Sequence, residues 1–344
     1  MNRPTIADLA QASGVSVSTV NRILGGSTSV RTRTIDKVKK AAEEIGFYGS
    51  GVIDARMRAS KPRYTLGFLL QQSTRELYQL FAQKIRDAAV SKVDAEITPV
   101  IEFVDRLEPE NIAGRLRTLG EKCDCVAVIA ADHPLVSQAI QALRAESRPV
   151  VAYITDQSAP GRAGYVGTDN WKLGRTAAWF IAKTTHGPGR VAVFIGNYRY
   201  QCQDIADASF RSYLRENASR LTVEGSLPTH EEPDEAHRIV SRLLHEMDDL
   251  AGIFIVGGGI SGVLRALREA PDRKRSVSLI CRDMGPETRK GLAEGLITAA
   301  LCHPLEQTSA QLVQTMIDSV GHTAEGAILH RSIPFEIITP ENVS

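Results

Sequence analysis

Residues 4–26 read PTIADLAQASGVSVSTVNRILGG, and this stretch predicts two short helices joined by a tight turn. Thr5 can cap the first helix, and Asp8 stands three residues later, in the manner of a capping box. Gly14 supplies the left-handed backbone that a sharp turn needs. Ser16 can then cap a second helix over residues 17–24, and a third is expected over residues 32–45. The stretch therefore predicts a three-helix unit of the helix-turn-helix type.

The second predicted helix presents one polar face without acidic residues. Its inward side is apolar, and its outward side carries Val17, Ser18, Asn21 and Arg22. Residues 1–61 hold ten Lys and Arg against five Asp and Glu, whereas the rest of the chain holds 31 against 35. A basic head on a mildly acidic body is typical of a nucleic-acid-binding module attached to a second domain. The alternative is an ordinary three-helix bundle with a solvated polar face.

Together with TRTIDKVKKAAEEIGF at residues 32–47, the first segment closely resembles the head of the LacI/GalR family of bacterial repressors. The resemblance implies that Val17, Ser18 and Arg22 read base edges in the major groove. It also implies contacts with DNA phosphates, which set register without reading sequence, at Thr5, Ser16, Thr19 and Asn21. Arg31 stands where the family usually has a capping serine, and we expect it to contact phosphate as well.

Residues 49–62, GSGVIDARMRASKP, stand where that family has a short hinge helix. In the family, the hinge helices of two subunits pair and each inserts an apolar side chain into the minor groove. A gapless count from Phe47 places Arg56 at the wedge position, and a one-residue insertion places Met57 there. We expect Met57 to be the wedge, because an apolar side chain can intercalate while Arg56 beside it suits the minor groove.

From residue 64 onward, short apolar runs alternate with helical stretches, which predicts parallel βα units and an α/β body. The body resembles the two-lobed type I periplasmic-binding fold that the same family carries as its sensor. Candidate strands lie at residues 65–70, 97–104, 125–130, 150–154, 165–167, 191–195, 252–256, 277–281 and 298–301.

The predicted organisation has three parts. These are a helix-turn-helix domain (1–48), a hinge (49–62) and an effector-binding body (63–344). In the body, the N-lobe is expected to comprise 63–161 and 297–322, and the C-lobe 162–296 and 323–344. The chain is expected to cross between the lobes near residues 159–164, 295–299 and 321–326.

Ligands of open parallel sheets bind at the carboxyl ends of the strands, which is where candidate effector residues are sought. By resemblance, Asp283 matches the family's hydroxyl-binding aspartate. Asn170 lies in the recurring segment TDNWKLG, where it can equally cap a helix. The family's anchor arginine is replaced by Ala206, and its Asn-Asp pair is missing from the Gly257–Gly259 stretch, so Arg199 and Gln203 are substitute candidates. The full predicted set is Gln72, Ser73, Tyr78, Asp132, Asn170, Arg199, Gln203 and Asp283.

These residue types suit a polyhydroxylated ligand, so we expect a sugar. Arg199 and Arg282 could pair with a carboxylate, which keeps a sugar acid open. One head covers too few base pairs for specificity, so a homodimer or larger assembly on palindromic operator DNA is expected.

Other readings of the sequence are less favoured. GGGISG at residues 257–262 fits a dinucleotide-binding fingerprint, and Asp283 follows at a suitable distance, which leaves a nicotinamide-dependent enzyme as the alternative. A binding protein without regulatory function is disfavoured because the head would be unused. Cys123 and Cys125, in the apolar run CDCVAVIA, are expected in the core, and the five cysteines indicate a reducing compartment. We expect no catalysis, cofactor, metal or membrane span, and a cytoplasmic location.

Overall fold

A computed structural model describes residues 3–25, 30, 32–48, 61–270, 277–321 and 327–343. The chain divides into two compact units, Met1–Tyr64 with Lys92–Ile97, and Thr65–Ser91 with Thr98–Ser344. Arg31 and residues 49–60 of the predicted hinge, which include Arg56 and Met57, lie outside the described residues. Their predicted DNA contacts therefore stay predictions.

The first unit contains the three predicted head helices, α1 (Ile6–Ser13), α2 (Val17–Gly25) and α3 (Thr32–Glu44). The capping box at the start of α1 is complete. The Asp8 backbone N–H donates to Thr5 Oγ1 at 3.3 Å, and the Thr5 backbone N–H donates to the Asp8 carboxylate at 2.8 Å. Gly14 ends α1 with φ 65°, which is the left-handed conformation that the turn requires.

The three head helices enclose a small apolar core of their own. Apolar residues at helical spacing in these helices are buried or half-buried, and Leu9 and Val20 are fully buried at the centre of the core. The buried members are Leu9, Ala10, Val20, Ile23, Val38, Ala41, Ala42 and Phe47. The spacing of apolar residues in the head sequence was therefore sufficient to predict its core.

The body contains two six-stranded sheets. The first sheet consists of β1 (Arg63–Gln71), β2 (Glu96–Val104), β3 (Cys125–Val128), β4 (Val150–Tyr153), β5 (Gly164–Thr168) and β11 (Leu329–Ile333). The second consists of β6 (Gly189–Ile195), β7 (Leu221–Pro228), β8 (Leu250–Ile255), β9 (Ser278–Arg282), β10 (Ala299–Cys302) and β12 (Glu336–Ile338). All nine predicted strands are present, with ends within two residues of the prediction, and β7, β11 and β12 are additional.

The strand order is β11-β5-β4-β3-β1-β2 in the first sheet and β12-β10-β9-β8-β6-β7 in the second. Strands β11, β5, β4, β3 and β1 run parallel, as do β7, β6, β8, β9 and β10. Only β12 is antiparallel to its neighbour among the pairs described. The predicted α/β body with parallel sheets is confirmed.

Helices cover both faces of each sheet, as parallel sheets require. They are α4 (Glu76–Val90), α5 (Pro109–Gly120), α6 (Pro134–Ala145), α7 (Asn170–Thr184), α8 (Gln201–Asn217), α9 (Pro233–Glu246), α10 (Ile260–Glu269), α11 (Pro286–Ala293) and α12 (Leu305–Gly321). Alternate residues of β6 face opposite sides. Ala192 and Phe194 pack in the core under α9 and α10, whereas Val191 and Val193 pack in the core under α7 and α8.

The three crossings between the lobes lie later in the chain than the sequence analysis expected. Strand β5 pairs with β4 in the first sheet, so the first crossing follows residue 168 rather than residues 159–164. Strand β10 pairs with β9 in the second sheet, so the second crossing is at residues 303–304. Strand β11 pairs with β5 and β12 pairs with β10, which places the third crossing at residues 334–335.

Close helix packing in the second lobe depends on Gly174 in α7. A Cβ there would overlap the Ala206 carbonyl oxygen and the Ser209 hydroxyl of α8. We predict that Gly174→Ala forces α7 and α8 apart and lowers the free energy of unfolding by about 1–3 kcal/mol.

Gly114 in α5 provides the matched control, because a Cβ there would meet open space. Gly114→Ala should raise the free energy of unfolding by about 0.5–1 kcal/mol, through helix propensity and a less flexible unfolded chain. Urea unfolding followed by circular dichroism measures both. Equal effects of the two substitutions would contradict this packing role of Gly174.

Candidate functional site

The outward face of α2 is the candidate DNA-reading surface. Val17 is 46% exposed, and Ser18, Asn21 and Arg22 are exposed beside it. Ser16 caps the helix, because its Oγ accepts from the Thr19 backbone N–H at 3.2 Å. The structure thus places the predicted base-reading side chains on one solvent-facing stripe. Which bases or phosphates they contact stays a prediction.

A cavity of about 690 Å³ lies between the two lobes of the body. It is lined by the segments that follow β1, β3 and β4 of the first sheet and β6 to β10 of the second, at the strand ends where the site was expected. Four predicted effector residues line it together: Gln72, Tyr78, Gln203 and Asp283. The structure brings these four side chains to one site from both lobes.

The other four predicted residues do not line this cavity. Ser73 is half-buried, and its backbone N–H and hydroxyl both donate to Asp105. Asp132 and Arg199 face each other across the lobes in a separate groove of about 360 Å³, where the Asp132 N–H donates to the Arg199 carbonyl. Asn170 is buried at the first crossing, and its Oδ1 accepts from Arg282 at 3.3 Å. Strand-end position alone did not separate these residues from the cavity-lining ones.

Asp283 is held by a buried network. Its Oδ1 accepts from the backbone N–H of His303 at 3.1 Å and lies 2.5 Å from His303 Nδ1. His303 Nε2 lies 2.8 Å from Nη2 of Arg282. An arginine can only donate, so Nε2 accepts, and His303 is the neutral tautomer that donates from Nδ1 to Asp283. His303 was not predicted from the sequence, because no local pattern marks its contacts with Arg282 and Asp283.

Burial and charge act against each other in this network. Burial opposes ionisation of Asp283, but His303 and the Arg282 guanidinium outweigh it and lower the pKa of Asp283 to about 2. Burial lowers the pKa of His303 below its usual 6.5, in agreement with the neutral tautomer. The cavity therefore presents a permanently ionised carboxylate that is held in place by hydrogen bonds.

A second carboxylate, Glu231, reaches the cavity from the loop after β7. Its side chain is only 9% exposed, and its Oε1 accepts from Gln203 Nε2 at 3.0 Å. Gln203 is itself fixed, since its Oε1 accepts from the Gly196 N–H at 2.7 Å. From the opposite lobe, Arg75 Nη1 donates to Glu231 Oε2 at 2.8 Å. Neither Arg75 nor Glu231 was predicted, because each lies in a polar loop without any periodic pattern.

A buried glutamine joins the aromatic side chains of the two lobes. The Tyr78 hydroxyl donates to Gln71 Oε1 at 2.9 Å, and Gln71 Nε2 donates to the Tyr200 hydroxyl at 2.9 Å. Burial raises the pKa of both Tyr78 and Tyr200, so both hydroxyls are neutral. The side of the cavity near these rings is thus uncharged and partly aromatic.

The cavity also concentrates strained backbone. Gln72, Ile154, Glu231 and Asp283 line it with φ between 38° and 66°, which non-glycine residues rarely adopt. Such conformations cost about 1–3 kcal/mol each and cluster at functional sites, where the surrounding structure imposes them. Each strained residue follows a strand, so the strain turns its backbone at the rim of the cavity.

The glycines of GGGISG have packing roles. Cβ atoms at Gly257 and Gly258 would overlap Gln203 and Glu231, and a Cβ at Gly262 would overlap the Pro233 carbonyl oxygen. Gly259 has φ 103° and begins α10. The motif therefore admits the protein's own side chains and the close packing of α9 with α10, which accounts for its glycines without a dinucleotide.

Within the described ranges, no group of three or more His, Cys, Asp or Glu side chains could hold a metal ion. No described helix is long and apolar enough to cross a membrane. All five cysteines are buried free thiols, including Cys123 and Cys125, which were expected in the core.

Known families match both units of the chain. "Bacterial regulatory proteins, lacI family" matches residues 5–50, and "Periplasmic binding protein domain" matches residues 71–323. The head belongs to the lacI family, and the body belongs to the periplasmic binding protein domain family. The resemblance drawn from the sequence is confirmed.

Relatives of this chain include transcription regulators. The sucrose operon repressor of Lactococcus lactis subsp. lactis is 23% identical over 328 residues, which is 93% of each chain. Catabolite control protein A of Priestia megaterium is 34% identical over 85 residues, a quarter of each chain.

Solved structures resemble the body of this chain in fold. A solute binding protein from Burkholderia graminis C4D1M in complex with D-arabinose has a TM-score of 0.74 at 19% identity, covering 81% of this chain and 96% of that one. GanP, a glucose-galactose binding protein from Geobacillus stearothermophilus, has a TM-score of 0.73 at 19% identity, covering 82% of this chain and 99% of that one.

The lowered pKa of His303 predicts a pH dependence of stability. The folded state favours the neutral imidazole, so its contribution is complete above the unfolded pKa near 6.5 and is lost as the pH falls below it. We predict that the free energy of unfolding decreases less for His303→Gln than for wild type when the pH falls from about 7 to about 5. Glutamine can still donate to Asp283 and accept from Arg282.

Urea unfolding at a series of pH values measures this difference. His330 is exposed, and His330→Gln provides a control for the histidine-to-glutamine substitution itself. The role assigned to His303 is wrong if His303→Gln and wild type lose stability in parallel over that pH range.

Proposed function

We propose that this chain is a transcription regulator that binds palindromic operator DNA as a homodimer and changes its operator affinity when a sugar binds between its lobes. The observation that carries the proposal is the combination in one chain of an exposed, acid-free α2 face with a strand-end cavity of about 690 Å³ that presents fixed polar groups. The similarity to a sucrose operon repressor and to a catabolite control protein supports it.

The chemistry of the cavity supports a polyhydroxylated effector. Asp283 is ionised, so it accepts hydrogen bonds only, and its Oδ2 has no partner among the described residues. Hydroxyl groups donate to such an oxygen, and hydrogen bonds to charged groups contribute about 1.5–3 kcal/mol each. Tyr78 and Phe81 provide apolar surface for the carbon face of a sugar ring.

A sugar acid is less well supported by this cavity than a neutral sugar. Arg199, one of the two arginines considered for a carboxylate, lies in the separate groove. The other, Arg282, is buried and donates to His303, Asn170 and Thr168. Five carboxylates line the cavity against two guanidinium groups: Glu76, Glu231, Glu232, Asp283 and Glu287 against Arg75 and Arg282.

The DNA-reading part of the proposal is tested at Arg22. Its side chain is exposed on α2, where a guanidinium can pair with both acceptors of a guanine. Arg22→Ala should weaken the free energy of binding to the cognate operator by about 1–3 kcal/mol and relax the base preference at one position of each half-site. Fluorescence anisotropy with the operator and single-base variants measures it.

Lys37 of α3 is exposed and supplies the control. Lys37→Ala should weaken binding to operator and random DNA about equally, because a phosphate contact carries no base information. Equal losses on operator and random DNA for Arg22→Ala would remove Arg22 from the base-reading set.

The effector-sensing part is tested at Asp283. Asparagine tolerates the left-handed backbone at this position, φ 62°, so Asp283→Asn should fold normally while losing the charge. We predict at least a tenfold loss of affinity, about 1.4 kcal/mol, for the sugar that most stabilises the wild-type protein. Operator affinity without the sugar should be unchanged. A wild-type sugar response in Asp283→Asn would place the effector elsewhere.

A further inference from the structure

We propose that Glu231 forms a cation subsite in the effector cavity, which Arg75 occupies in this structure, and that the effector displacing Arg75 is an amino sugar. This inference rests on the proposed function and narrows the class of its ligand. Glu231 and Arg75 form an ion pair that joins the two lobes across the cavity, with 2.8 Å between Arg75 Nη1 and Glu231 Oε2. Arg75 therefore stands where a ligand cation would bind.

The position of the Glu231 carboxylate is built by its own lobe. Gln203, which is anchored on the Gly196 N–H, donates to one carboxylate oxygen. Cβ atoms at Gly196 and Gly258 would overlap the carboxylate, so both glycines make room for it. These contacts fix the carboxylate independently of the first lobe. Among the described residues, however, the only cation paired with this carboxylate, Arg75, comes from the opposite lobe.

The position of the guanidinium is less firmly built. Arg75 is 28% exposed in its side chain, and besides Glu231 it donates to Gln72 Oε1 at 2.9 Å. Its guanidinium carbon lies 5.6 Å from the centroid of the Tyr78 ring. Arg75 comes from a loop residue directly before α4, so rotation about its side-chain bonds can move the guanidinium off Glu231 without moving a helix. The carboxylate is thus the fixed partner and the cation the exchangeable one.

Electrostatics then favours a positively charged group on the ligand. With Arg75 moved away, Glu231 is a nearly buried carboxylate without a cation, which is strongly unfavourable. Asp283 on the same lobe is also ionised. The remaining guanidinium of the cavity, that of Arg282, already donates to Asn170 and His303 at the crossings between the lobes. An ammonium group restores the lost pairing, a neutral hydroxyl restores only a hydrogen bond, and a carboxylate adds repulsion. Asp283 remains available for neighbouring hydroxyls, and the two requirements together describe an amino sugar.

The subsite can be tested without knowing the effector, by removing Arg75 and adding back a small cation. Arg75→Ala leaves Glu231 in place and vacates the guanidinium position. Methylguanidinium should bind this variant saturably, and at least tenfold more tightly than it binds Arg75→Ala/Glu231→Gln, while acetate should not bind. Isothermal titration calorimetry measures methylguanidinium binding to both variants and acetate binding to Arg75→Ala. Circular dichroism establishes that the variants fold. If Arg75→Ala does not fold, Arg75→Gln and its Glu231→Gln double variant are measured in the same way.

A matched control uses the neighbouring carboxylate. Arg75→Ala/Glu232→Gln loses the same formal charge from the same loop but keeps Glu231, so it should bind methylguanidinium like Arg75→Ala. Equal affinities for the Glu231→Gln and Glu232→Gln double variants, or no saturable binding to the single variant, would overturn the subsite.

The ligand class is tested on the wild-type protein with matched hexoses. Thermal unfolding is followed with D-glucose, D-glucosamine and D-glucuronate, and with the corresponding galactose set. In at least one set the amine should raise the melting temperature more than the neutral sugar, and the uronate least. If no amine exceeds its neutral parent, or if a uronate gives the largest shift, the amino-sugar assignment is overturned. Stabilisation by a neutral sugar alone would leave the regulator proposal intact, which separates the two failures.

Discussion

One chain builds both lobes of the body and passes between them three times, and the geometry of the cavity depends on that constraint. The passages after β5, β10 and β11 contain only one or two residues each between elements of different lobes. Two of them meet at Arg282, which donates to Thr168 and Asn170 at the first crossing and to His303 at the second. Asp283 is bonded to His303 in turn. A group that binds Asp283 therefore contacts a network that includes the segments about which the lobes would move.

The two carboxylates of the cavity differ in how they are paired. Asp283 is hydrogen-bonded to His303 at the second crossing, and His303 in turn accepts from Arg282, so these contacts do not require the lobes to be closed. Glu231 receives its cation from the opposite lobe and would lose it when the lobes separate. Since a nearly buried, unpaired charge is costly, lobe arrangement and charge pairing are coupled at Glu231 and not at Asp283. A ligand can shift the lobe equilibrium only through such a difference in interaction between the two arrangements.

Most of the fold was predictable because buried elements have strong apolar patterns. The nine predicted strands are present, and the head core follows the spacing of its apolar residues. The three missed strands, β7, β11 and β12, are all edge strands with mostly half-buried or exposed residues, so no apolar run marks them. The crossings were misplaced because strand pattern does not reveal which sheet a strand joins.

The candidate site was predictable only where a strand end or a resemblance indicated it. Gln72, Tyr78, Gln203 and Asp283 were found in this way, and the structure places them around one cavity. The sequence did not indicate Arg75, Glu231 or His303, because their contacts join separate loops. Arg75 and Glu231 are 156 residues apart in the chain, and His303 and Asp283 are 20 residues apart. No local pattern in one sequence encodes such pairings. Conversely, Asp132 and Arg199 have suitable chemistry, but they contact each other in a separate groove.

The head adds a final constraint on how regulation can work. Its core is complete within its own three helices, so an effector need not fold or unfold it. One α2 face offers three predicted base readers, and each good bidentate contact discriminates by only about 1–3 kcal/mol, too little for one head to select a site in a genome. In the proposed homodimer two heads must bind at once, and losing either removes half of the specific contacts. The cavity therefore needs only to change the relation between two intact heads, and a modest shift in lobe arrangement is sufficient for a large change in operator affinity.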